Sequence, residues 1–164
     1  MTDSKPLKRN EHIYKLSKDH HLTLLFCWKI RNGLKLEVEP ERIVCYVKYF
    51  WQNHLAPHFA EEENILFAPV KDIKVQRALD EHAEITRHVN VLQIAGVNPT
   101  KQLSNLADMV DNHVRYEERH LFPHLEGVLT NEQLIAIGKQ LADAYDPELK
   151  DNFADEFWLK NKNG

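Results

Sequence analysis

"HFAEEENILFAP", His58 to Pro69, and "HVRYEERHLFPH", His113 to His124, write nearly the same phrase twice: a histidine, a glutamate four residues on, then apolar residues and a proline. A helix turns about 100° per residue, so positions four apart differ by about 40° and stack on one face. His58 and Glu62 therefore point the same way, as do His113 and Glu117. Phe59, Ile65, Leu66 and Phe67 flank the first pair, and Val110, Tyr116, Leu121 and Phe122 flank the second. That company predicts that both faces turn inward. Burying an ionised carboxylate without compensation is costly, and a cation held between the helices would supply the compensation. One such pair alone reads better as a solvated His–Glu pair on a helix surface. Two copies in one register favour the inward reading. Glu61, Glu63 and Glu118 read as solvated charges or as acceptors standing behind the inward side chains.

Around these phrases the chain reads as helical. "RNEHIYKLSKDHHLTLLFCWKIRNG" predicts a first helix ending near Asn32-Gly33, a C-cap signal. Glu39-Pro40 opens a second, which stops before Pro69 and should kink or break at Pro57. A third covers about Lys71 to Ala95, before Gly96-Val97-Asn98-Pro99. A fourth runs from about Thr100 to Glu126 and closes at Gly127. Thr130 and Gln133 have the spacing of a capping box, so a fifth helix begins there and fades at Tyr145. "FADEFWLK" reads as a short amphipathic tail packed across one end. Four long helices with short connections predict an all-α fold, an antiparallel four-helix bundle over residues 1–127. Residues 128–164 form a C-terminal helical extension packed on it.

The 164 residues suffice for one domain with a real core. Twenty-one basic and 25 acidic side chains give a formal charge of −4. No basic block marks a nucleic-acid footprint, and no apolar run approaches membrane-spanning length. The N-terminal "MTDSKPLKRNEH" has no apolar leader pattern, so a cytoplasmic setting is the expectation. Cys27 and Cys45, both in apolar helical patterns and without Cys-x-x-Cys spacing, read as two small buried thiols.

Ten histidines are many for this length. His82 in "ALDEHAEITRHV" shares a face with Leu79, Ile85, Thr86 and Val89. Alone it would be a core histidine; beside two His–Glu pairs it becomes a candidate ligand. On the first helix, Lys15, Lys18 and Lys29 mark the wet side and Leu16, Leu24 and Cys27 the dry one. That places His20 inward and rotates His21 away. His54, one turn before His58, is a further candidate, as ligand or support; His88 reads as solvent-facing. His120 and His124 sit near a helix C-terminus, where the dipole favours them. The chain also repeats loosely: Asp19-His20 then His-x-x-x-Glu, and Glu81-His82 then His-x-x-x-Glu.

His20, His58, Glu62, His82, His113 and Glu117 can be counted as a ligand set. If both glutamates bridge two metals, each metal receives two oxygens and two nitrogens. A bridging oxide or hydroxide makes five donors and leaves one octahedral position open on each. This mixed set suits iron or manganese better than calcium, and structural zinc would favour four ligands with thiolates.

The order "DHH", "HFAEEENILFAP", "DEHAEI" and "HVRYEERHLFP" resembles the hemerythrin-like HHE cation-binding family, over roughly Ile13 to Glu126. The resemblance implies an up-down-up-down bundle holding a non-haem di-iron centre (Fe2+/Fe3+), with manganese or zinc fitting less well. Carried over, the family pattern falls on the six residues just counted. The oxygen-carrying hemerythrins have a histidine pair one turn apart on the third helix and an aspartate as one bridging acid on the fourth. Here Thr86 stands four residues after His82, and Glu117 follows His113. The missing histidine speaks against reversible oxygen carriage and leaves di-iron binding intact.

The function these readings favour is a di-iron protein that binds or reacts with O2, peroxide or NO, or that senses or buffers iron. A small diatomic ligand or peroxide would be its partner, with no nucleic acid and no membrane. The competing class is a structural-metal module without redox activity, with Tyr49, Trp51 or the "EFW" tail as a protein-docking surface. An oxidase or peroxidase has less support, because no substrate pocket beyond the metal is legible.

Overall fold

The computed structural model describes residues 8–94, 96–144 and 150–160. Among the described residues five helices follow one another: α1 (Tyr14–Lys35), α2 (residues 40–66), α3 (Ile73–Val91), α4 (residues 99–128) and α5 (Asn131–Asp143). The first four form the bundle, and there is no strand among the described residues. α1 packs most extensively on α4.

Caps define several of the starts. Asp72 accepts hydrogen bonds from the backbone N–H groups of Lys74 and Val75 at the head of α3. Asn98 does the same for Thr100 at α4, where Pro99 takes the first position. Thr130 and Gln133 close the expected capping box on α5.

Other ends differ from expectation. α1 does not stop at Asn32-Gly33 but continues to Lys35, and the left-handed residue is Glu37 at φ 57°. Gly33 is buried within the helix because Phe157 lies against it; a Cβ there would stand 2.7 Å from the Phe157 ring. α4 likewise runs through Gly127 to Val128. α3 is shorter than expected at both ends, and Ala95 lies outside the described residues. So does Tyr145, where α5 was expected to fade.

Pro57 and Pro123 do not break their helices. Each follows a π turn, Trp51–Leu55 and Glu117–Leu121, whose i+5 hydrogen bonds, Ala56 N–H to the Trp51 carbonyl and Phe122 N–H to that of Glu117, absorb one extra residue. A proline in the first turn of the segment beyond has no N–H to leave unpaired. A third π turn spans Glu62–Leu66.

The tail is irregular rather than helical, yet it does pack across one end. Phe157 and Trp158 are buried, and Asn32 donates to the Trp158 carbonyl. These aromatic groups are engaged with the bundle, and Tyr49 and Trp51 are half-buried. Lys29, expected on the wet side, is buried at 7 % exposure: its ammonium pairs with Asp151 of the tail at 2.9 Å and lies over the Trp158 ring at 4.0 Å. Of the two thiols, Cys27 is buried and Cys45 exposed.

Two apolar clusters fill the bundle. One holds Phe26, Ile30, Tyr46, Phe50, Ile85 and Leu106 with the tail aromatics. The other holds Leu16, Leu66, Phe67, Ala78, Phe122 and Leu125 with the inner face of α5. Every bundle helix passes from one to the other, and where it crosses it carries a histidine or glutamate.

Candidate metal centre

The structure brings His20, His58, Glu62, His82, His113 and Glu117 together between the two apolar clusters, all buried. They form two groups: His20 and His58 with both glutamates, and His82 and His113 with both glutamates. In each group one ligand-capable atom per residue lies within 4.8 Å of the others. Within a helix, His58 Nε2 stands 3.2 Å from Glu62 Oε1 and His113 Nε2 stands 3.0 Å from Glu117 Oε1. Between helices, His82 Nε2 is 3.2 Å from Glu62 Oε1 and His20 Nε2 is 3.2 Å from Glu117 Oε1. The arrangement is close to two-fold symmetric, as the repeat in the sequence suggested.

Behind each imidazole stands a further acid. His20 Nδ1 donates to Glu118 at 2.6 Å, His58 to Asp19 at 3.0 Å, His82 to Glu63 at 3.3 Å and His113 to Glu81 at 2.8 Å. Each bond fixes the ring so that Nε2 faces the centre and leaves that nitrogen more basic. Sequence reasoning left Glu63 and Glu118 between this role and solvent, and gave none to Asp19 or Glu81. The signal was present as an acid directly before each single histidine and directly after each inward glutamate. Half-exposed acids are common on helices, and only the tertiary pairing distinguishes these.

Burial and charge pull against each other here. Burial opposes protonation of His113, yet the Glu117 carboxylate at its Nε2 and Glu81 behind it carry its pKa up to about 10. His58 is raised well above its ordinary value against the same penalty, by Glu62 and Asp19. Glu117 resists burial because His113 and His20 hold its carboxyl well below the usual range. Glu118, opposed by burial but facing His20, Ser17 and Arg9, falls to about 2.

The inner atoms are nevertheless unmet. Both oxygens of Glu62 and of Glu117, and Nε2 of all four histidines, are buried without a hydrogen-bond partner. Such groups are costly unless something polar occupies the space between them. Four nitrogens and four oxygens converging in two shared groups fit the donor set of two divalent or trivalent cations.

The other histidines lie elsewhere. His21 is exposed, as is His120. His124 ties the end of α4 to Asp72 at 2.7 Å, and His88 is half-buried beside Glu84 rather than solvent-facing. His54 belongs to neither group; its ring stacks on Phe50 at 5.0 Å, and burial pushes its pKa down. Thr86, where a second histidine would stand, donates its hydroxyl to the His82 carbonyl at 2.7 Å and so turns back on its own helix.

A pocket not legible in the sequence opens between α1 and α2, with a volume of about 720 Å³. Thr23 and His58 line it and also line a narrow inner crevice against the centre, whose remaining walls include Leu55, Phe59, Val110 and Val114.

A helical bundle that turns two His-x-x-x-Glu pairs and two single histidines onto a buried carboxylate–histidine cluster defines a class of cation-binding bundles. The profile of the Hemerythrin HHE cation binding domain matches residues 11–125, and the chain belongs to that family. No curated protein and no solved structure matches the chain. Among the described residues no helix is long and apolar enough to cross a membrane.

Proposed function

We propose that the chain holds a non-haem di-iron centre that reacts with a small oxygen- or nitrogen-oxide ligand, in a cytoplasmic setting that suits its unpaired thiols. His20 and His58 would hold one iron and His82 and His113 the other, with Glu62 and Glu117 available to both. The observation that carries this reading is the set of unpartnered buried atoms, in two groups that share both glutamates. When bound, the iron pair would supply redox chemistry and an open coordination position. The chain supplies the rest. Asp19, Glu63, Glu81 and Glu118 orient the imidazoles. The two apolar clusters exclude water above and below. Leu55, Phe59, Val110 and Val114 wall a crevice against the centre that is too narrow to hold a water molecule, and Thr23 and His58 line both this crevice and the larger pocket.

Thr86 contributes no donor in place of a second histidine, so the ligand field differs from that of the oxygen carriers. Exposure of the diferrous protein to air should therefore give a lasting ferric absorption spectrum that deoxygenation does not reverse. An oxygen adduct released under vacuum would contradict this and support oxygen storage. No response to oxygen, peroxide or nitric oxide would favour a structural-metal module instead.

A further inference from the structure

We propose that the two cation positions are inequivalent: the one on His20 and His58 is tightly held, and the one on His82 and His113 is exchangeable. The inference rests on the two-cation reading above and names how that site would release or take up metal.

The inner donors give no reason for a difference. His20 Nε2 lies 3.2 and 3.8 Å from the nearest oxygens of Glu117 and Glu62, and His82 Nε2 lies 3.2 and 4.0 Å from those of Glu62 and Glu117. The asymmetry is in the layer behind. Glu118, on His20, is gripped by Arg9, whose side chain is only 8 % exposed and whose guanidinium reaches the Glu118 carboxylate and carbonyl at 2.9 Å. Arg9 also donates to Ser17 and to Glu126, so its own position is fixed from α1 and from α4. Asp19, on His58, pairs with Lys15 at 3.0 Å, and Lys15 is held in turn by Glu61 at 2.6 Å.

The other half is looser in both places. Glu81, on His113, is backed by Arg77, which is 60 % exposed and therefore screened by solvent. Glu63, on His82, makes the longest of the four bonds, is 41 % exposed, and pairs with no cation among the described residues. Phe59 stacks on the His82 ring at 3.8 Å and fixes its plane. What Glu63 supplies less of, through its longer bond and more exposed carboxylate, is therefore basicity at the ligand nitrogen, since Phe59 already orients the ring. Acceptors behind metal-bound histidines typically govern 10- to 100-fold in metal affinity. Arg9 is thus a positioning residue, acting on His20 through Glu118, although it precedes the first bundle helix.

The test loads the full chain anaerobically with ferrous iron, adds excess bipyridine, and follows the coloured chelate. The proposal expects two phases of equal amplitude, separated about 10-fold or more in rate. Arg9→Met should speed the slow phase alone, Arg9→Lys should recover part of the difference, and Glu63→Gln should speed the fast phase alone. A merely structural role for Arg9 would accelerate both phases together and would overturn the assignment. Two irons per chain leaving in a single phase would overturn the inference while leaving the di-iron reading intact. Uptake of fewer than two irons per chain would overturn both.

Discussion

Glu62 and Glu117 have no exposed surface, and neither carboxylate oxygen of either has a hydrogen-bond partner. Each lies between histidines of two different helices, so removing one acid takes a donor from both positions at once. Glu62→Ala or Glu117→Ala should abolish binding of both cations together, read as metal per chain. Glu61→Ala should leave the content close to wild type, because Glu61 faces Lys15 at the rim. Equal losses from Glu61→Ala and Glu62→Ala would mean that the register drawn here is wrong. At this scale much was legible. Four-residue spacing places two side chains on one face of a helix without tertiary information, and the choice of His20 over His21 as the inward residue needed only the wheel. Lys29 shows where that reasoning stops: the wheel gave its direction, but its partner Asp151 comes from the far end of the chain.

The helices themselves were legible in number and order but not in winding. Pro57 announced an interruption, and a π turn before it, like the one before Pro123, keeps the helix whole. Such turns cluster at functional sites, and two of the three here begin at Glu62 and Glu117. Nothing in side-chain periodicity separates a π turn from an α turn over five residues. Gly33 looked like a helix end because glycine favours that position; it is instead the gap that receives Phe157. The tail so docked is fastened by Lys29, Asp151 and Tyr46, whose hydroxyl donates to Asp151 at 2.5 Å. Lys29→Met would leave the Asp151 carboxylate buried without its cation, and breaking a buried pair in this way costs about 3 kcal/mol. Denaturant unfolding of the metal-free protein should show that loss, and adding Asp151→Asn should recover most of it. A change below about 0.5 kcal/mol, typical of an exposed pair, would show that the pair is solvated.

Across the whole molecule, a polar layer lies between two apolar ones, and each bundle helix contributes to all three. The class of fold and the family could be reached from the repeated phrases, because they fix which faces meet. The pocket between α1 and α2 and the pairing of each outer acid with its histidine could not, since each depends on residues far apart in the chain. The acids behind the histidines satisfy the outer nitrogens alone; the inner nitrogens and carboxylate oxygens lie within ion-pair distance of one another but make no hydrogen bond. Two cations sharing Glu62 and Glu117 would satisfy the rest. Elemental analysis of the protein, loaded with ferrous iron without oxygen and desalted, tests this most directly. Two irons per chain are expected; one zinc and no iron, persisting after anaerobic iron supply, would contradict it.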